Sequence, residues 1–167
     1  MAKNAKTLND LFEDTLKDIY YAEKKILKAL PKMAKGAHSD ELRAVFQEHL
    51  KETEGQVSRL EKVFELLDIT PKGKKCEAIE GILGEGAEIM KEFKGAPALD
   101  AGLVSAAQAV EHYEIARYGT LKRWAEQLGF NEAMRLLDAT LSEEKNTDEA
   151  LTELADTKIN EQAEAAA

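Results

Sequence analysis

Several acidic residues sit where a helical sequence should place apolar ones. Glu23 lies between Ile19 and the Ile26-Leu27 pair, and His49, Glu52 and Gln56 share a helical face between Phe46 and Leu60. Glu111 and Glu114, three residues apart, share a face with Ala107, Tyr118 and Leu121, while Glu144 and Asp148, four apart, fall between Leu141 and Leu151. Residues three or four apart are neighbours on a helix surface, so each set points to one side. A carboxylate buried without a partner is costly, and five or six aimed into one core repel one another unless cations neutralise them. Oxygen-rich donor sets of this kind, single carboxylates from some helices and (i, i+3) or (i, i+4) pairs from others, hold di-iron and di-manganese centres in bundle cores. The expected ligands are therefore Glu23, Glu52, Glu111, Glu114, Glu144, Asp148 and His49, around two iron or manganese ions per chain. The competing reading places these acids at the edge of the apolar stripe, paired with Lys24, Lys51, Arg117 or Lys145. The Glu-x-x-His pair usual in di-iron bundles is absent, and His49-x-x-Glu52 offers the same residue types in reverse order. His38 and His112 are weaker candidates.

The elements that must carry these residues are long helices. From Thr7 the apolar residues Leu8, Leu11, Phe12, Leu16, Ile19, Ile26, Leu27 and Leu30 recur at three- and four-residue intervals, which predicts a first helix over about 7–35. Thr7, Asn9 and Asp10 supply cap and first-turn chemistry, Pro31 should bend the helix, and Gly36 offers a left-handed stop. A second helix opens at Ser39-Asp40-Glu41 and ends before Thr70-Pro71. Lys72-Gly73-Lys74-Lys75 reads as a linker, and a third, glycine-interrupted helix covers about 76–93. Its GxxGxG spacing follows no strand, so it is no dinucleotide loop, and close packing explains the glycines better. A fourth helix runs from about Pro97 to Leu128 and a fifth from Asn131 to about 160, with a fraying tail beyond. Helices of about 30 residues are about 45 Å long. The expected architecture is all-α: a ferritin-like four-helix bundle of two long antiparallel hairpins joined through a shorter crossover helix, forming one domain over 1–167.

Composition narrows the function classes. The 167 residues carry 23 Lys and Arg against 32 Asp and Glu, a net charge of −9, which leaves no basic face for a phosphate backbone and argues against nucleic-acid binding. No apolar run approaches the roughly 18–20 residues needed to span a bilayer. The lone cysteine, Cys76, has no internal disulfide partner, there is no CxxC pair, and no signal-peptide pattern is present, so a cytoplasmic location is expected. Four serines and one cysteine show no nucleophile-elbow or triad context.

The stretches Tyr21-Ala22-Glu23-Lys24, His49-Leu50-Lys51-Glu52-Thr53-Glu54-Gly55-Gln56, Glu77-Ala78-Ile79-Glu80-Gly81, Val110-Glu111-His112-Tyr113-Glu114-Ile115-Ala116 and Glu143-Glu144-Lys145-Asn146-Thr147-Asp148 resemble the YciE/YciF family of bacterial ferritin-like stress proteins. The likeness runs from about Thr7 to Leu154. It implies a five-helix fold similar to the helical domain of rubrerythrin, a homodimer and a metal centre. By the same likeness Glu23, Glu52, Glu111, Glu114 and Glu144 occupy carboxylate positions, with Gly55 and Thr147 where histidines would stand. Gln56 and Asp148 are the neighbouring substitutes, and Glu80, on the third helix, either covers the site or pairs with a lysine, the pairing being the better reading.

Two functions follow. In the first, the metal pair reacts with oxygen or peroxide, the protein fixing geometry and surroundings. Tyr20, Tyr21, Tyr113 and Tyr118 are then at hand as hydrogen-bond or electron donors. Without a rubredoxin-like four-cysteine module, electrons must come from a donor protein. In the second, the chain is a non-catalytic dimeric bundle whose core acids are structural.

Overall fold

A computed structural model describes residues 5–166. Helix α1 (Leu8–Gly36) opens with a capping box in which Thr7 Oγ1 accepts from the Asp10 N–H while the Asp10 carboxylate accepts from the Thr7 N–H. It contains Pro31 and runs to Gly36, which is not left-handed; the chain leaves the helix through Ala37 in extended conformation. Helix α2 (Asp40–Leu66) is capped by Ser39, and α3 (Glu77–Glu92) follows a ten-residue connector and is capped by the Cys76 sulfur. Gly95, at φ 75°, turns the chain toward α4 (Leu99–Gln127), and Gly129, at φ 79°, turns it into α5 (Asn131–Leu154). Both glycines take up backbone that side chains disfavour. A π-helical turn at Ala155–Ile159 then leads into α6 (Asn160–Ala165), so the tail expected to fray continues as helix.

The hairpins are α1–α2 and α4–α5, and they meet along α2–α5 and α1–α4. At one end Phe12 packs on Phe130 at 5.8 Å between ring centroids, and the Lys74 N–H donates to the Lys17 carbonyl, tying the connector to α1. At the other end Asp100, in the first turn of α4, accepts from the backbone N–H groups of His38 and Ser39 at 2.8 and 2.7 Å. The chain therefore crosses the whole length of the bundle between α2 and α4, with α3 laid along α1 and α4. This is the ferritin-like arrangement expected from the sequence. Of the helix-three glycines only Gly86 faces a close neighbour, the Ala106 Cβ, while Gly81 and Gly84 face open space. The tighter approach is from the other side: a Cβ on Gly102 of α4 would stand 2.6 Å from Ile89.

The core is apolar at both ends. Phe12, Leu16, Leu60, Phe64 and Leu121 fill one end and Leu30, Leu42, Phe46, Leu103 and Leu151 the other, each at most 3% exposed. Between them lies a layer of buried Glu23, His49, Thr53, Gln56, Glu111, Glu114, Tyr118 and Glu144.

Candidate metal centre

Four helices each deliver donors to that middle layer: Glu23 from α1, His49 and Gln56 from α2, Glu111, Glu114 and Tyr118 from α4, Glu144 from α5. The reason is periodicity. Each donor occupies a position that the flanking apolar residues assign to the inward stripe, so the helix cannot expose it without exposing them. One donor atom from each of His49, Glu111, Glu114 and Glu144 lies within 4.8 Å of the others. His49 Nδ1 stands 3.1 Å from Glu111 Oε1, and its Nε2 3.6 Å from Glu144 Oε2.

The carboxyls crowd one another: Glu111, Glu114 and Glu144 each bring an oxygen within 4.8 Å of the others, and Glu23 stands beside Glu114 and Glu144. Burial, then the Glu144 charge, pushes Glu23 up to about 8, against the pull of the Tyr118 hydroxyl that donates to its Oε1. Burial and the neighbouring carboxylates likewise push Glu111 and Glu114 well above the usual range. Glu144 moves the other way: burial would raise it, but contacts from His49, Glu111 and Glu114 together outweigh that and hold it low. Tyr118, buried against Glu23 and Glu114, is pushed well up and keeps its proton.

Hydrogen bonds leave much of the layer unsatisfied. Among the described residues, Glu23 Oε2, both oxygens of Glu111, both of Glu114, Glu144 Oε2, His49 Nε2 and Gln56 Oε1 are buried without a hydrogen-bond partner. Buried polar atoms are normally paired, and each exception marks strain, function or an unrepresented ion. Five of these orphaned oxygens belong to Glu111, Glu114 and Glu144, which gather with His49, and a sixth to Glu23; the cluster is an oxygen-rich set with one imidazole, capable of holding a metal ion.

Two of the expected ligands lie elsewhere. Asp148 faces outward, where its carboxylate meets His112 Nε2 at 3.1 Å and accepts from Gln108 at 3.2 Å. One turn beyond Glu144 it has already rotated past the edge of the stripe. Glu52 is half-buried and accepts from Thr147 Oγ1 at 3.2 Å; burial raises its carboxyl. Glu80 pairs with Lys25 at 2.7 Å and accepts from Tyr21. Of the lysines and arginine offered as partners for the acids, Lys51 pairs with Glu48 and Lys24 approaches the Tyr20 hydroxyl, so neither neutralises the buried layer.

Sequence reasoning missed the supporting chain at the rim. The Arg59 guanidinium donates to both oxygens of Glu143 and, at 2.8 Å, to Thr140 Oγ1; Gln56 Nε2 donates to Glu143 at 3.2 Å and to Glu144 Oε1. Arg59 thus anchors Glu143, and Glu143 orients the amide that fixes Glu144. The signal was the spacing Gln56-x-x-Arg59 on α2 against adjacent acids on α5.

Residues 7–164 match the family described as a domain of unknown function, DUF892. The chain belongs to the DUF892 family. Protein YciF of Escherichia coli (strain K12) is 45% identical to this DUF892 chain over 162 residues, 96% of this chain and 98% of that protein, which bears out the resemblance in the sequence. The crystal structure of the E. coli stress protein YciF is similar at TM-score 0.89 and 44% identity, over 93% of this chain and 99% of that one. YcfI of Rhodopseudomonas palustris is similar at TM-score 0.85 and 45% identity, over 91% and 97%. A protein from Xanthomonas campestris pv. campestris shares the fold at 23% identity and TM-score 0.71, over 95% and 98%. Among the described residues no helix is long and apolar enough to cross a membrane.

Proposed function

We propose that this DUF892 chain is a cytoplasmic, stress-linked protein that holds two iron or manganese ions in its middle layer and reacts with oxygen or peroxide. The stress link extends to this chain what is said of E. coli YciF. The observation that carries the reading is the cluster of Glu111, Glu114 and Glu144 with His49, whose carboxylates hold five buried oxygens without partners among the described residues. Four carboxylates, those of Glu23, Glu111, Glu114 and Glu144, carry four negative charges when ionised, and two divalent ions balance them. His49 and these four residues would hold the ions. When bound, such a pair would supply redox equivalents to a small oxidant, with a donor protein as their source. The chain's own part is to keep the layer dry, to present donors already oriented by Gln56 and Arg59, and to hold a proton on the Tyr118 hydroxyl beside Glu23. Exposed Leu11 and Leu66 lie at the same end of the α1–α2 hairpin and support pairing of two copies.

The competing reading is a dimeric bundle whose acids persist as neutral carboxyls, as the raised values of Glu23, Glu111 and Glu114 allow. Elemental analysis after anaerobic Fe(II) loading separates the two. About two metal ions per wild-type chain, falling to below one in Glu111→Gln/Glu144→Gln, supports the metal centre. No metal in the wild type, or the same amount in both proteins, leaves the structural bundle.

A further inference from the structure

Glu52 lies outside the buried cluster, and its surroundings suggest a different task. It lines a solvent-facing cavity of about 210 Å³ between α2 and α5, together with Val45, Glu48, His49, Thr147 and Ala150. Glu48 and Glu52 are four residues apart and so share the α2 face, and among the described residues no lysine or arginine lines the cavity. The Thr147 hydroxyl donates to Glu52 and fixes it at the wall. Glu48 meets Lys51 at 3.0 Å, but both groups are more than 60% exposed and such pairs are weak. At the inner end stands His49, 3% exposed, with Nε2 unpartnered and its ring against Glu111 and Glu144. Two carboxylates therefore lead to a buried, unused nitrogen donor. A second cavity reaches His49 and Glu111 from the α1–α3 side, but it offers about 10 Å³ between apolar side chains such as Ile26, Leu30 and Leu83. That is no more than the space of about one water.

We infer that the α2–α5 cavity is the route by which a divalent cation reaches the buried cluster, with Glu48 and Glu52 capturing it and His49 receiving it. The inference rests on the metal-centre reading. A divalent ion travels with its hydration waters, and each one it sheds must be replaced by another donor, so it needs a path wide enough to admit it with some of its shell and donors spaced to replace the waters in turn. At roughly 30 Å³ per water the larger cavity has room for several, and carboxylates at the mouth of a low-dielectric cleft concentrate cations there. Thr147 and Ala150 keep it open because both are small.

The test is stopped-flow uptake of Co(II) by the chelator-stripped full chain, read from the cobalt absorption bands. At low salt Glu48→Gln/Glu52→Gln takes up Co(II) about tenfold more slowly than wild type, as loss of steering predicts, and Glu48→Asp keeps the wild-type rate. About 0.5 M salt removes the difference by screening. Ala150→Leu, which fills the passage, slows uptake at both salt concentrations. In every variant the final amount bound equals that of wild type. Equal rates throughout overturn the route, and a lower final amount in Glu52→Gln makes Glu52 a resident ligand and overturns its capture role. A wild type that binds no Co(II) overturns the metal centre itself, and the route with it.

Discussion

The two ends of the bundle and its middle are built from the same four helices and obey opposite rules. At the Phe12 end the buried side chains pack by shape: Tyr20 meets Phe64 edge-on at 5.4 Å, and Phe12, Leu16 and Leu121 are fully buried. In the middle the side chains are as deeply buried, yet their polar atoms lack partners and their charges oppose one another. The ends are held by apolar packing alone, and the middle buries acids whose polar atoms find few partners among the described residues. A helix stripe can thus be interrupted for one layer provided that the layers on either side are continuous.

That contrast breaks most plainly at a ring. Phe64→Ala should cost about 3–5 kcal/mol by thermal or urea unfolding, with or without metal, because Phe64 touches only the apolar end. An equal loss cancelled by added Fe(II) would mean that the end and the middle are not independent.

In the middle the sign reverses. Glu111→Gln/Glu114→Gln should stabilise the metal-free chain by about 1–3 kcal/mol, as replacement of buried charge often does. The same variant should lose the rise in Tm that Fe(II) or Mn(II) gives wild type, which at a hundredfold excess over Kd is worth about 2.7 kcal/mol, or about 6–10 °C at this size. The pH dependence has the same origin. Glu23 is raised to about 8 from 4.5, so the folded chain holds a proton that the unfolded chain releases. Its contribution is complete below about pH 4.5 and is lost as pH rises through 8; Glu111 and Glu114 act in the same direction. Glu144, held low, contributes oppositely, its share being lost on acidification. Calorimetry in chelator should therefore show Tm falling between pH 5 and 8, and a flat or rising Tm would contradict the crowding of buried carboxyls in this layer.

The smallest effect sharpens the boundary of the layer. Asp148→Asn should change stability by at most about 0.5 kcal/mol and leave metal content untouched, since its partners are His112 and Gln108 at the surface. A drop in bound metal would bring Asp148 back to the site.

The bundle was legible because its signals are local and repeated. Apolar spacing marked each long helix, and Thr7, Ser39 and Asn131 marked three starts. The inward acids were legible for the same reason, as interruptions of a stripe. The stripe's edge was not: four residues along a helix advance by more than a full turn, enough to carry Asp148 away from Glu144, and Glu52 stops halfway because Thr147 on another helix holds it. Gly36 misled because an extended exit through Ala37 serves as well as a left-handed one. Nor could spacing show the π-helical turn at Ala155–Ile159, a one-residue change of register within a continuous helix.

Asp100 links residues about 60 positions apart in sequence and does so between two backbone N–H groups of one hairpin and the first turn of the other. Each hairpin can form without it, because α1–α2 and α4–α5 are local pairings. The Asp100 bonds require the hairpins to be docked. They therefore belong to the last stage of assembly, and their strength governs how long the docked bundle persists before it opens more than how quickly it forms.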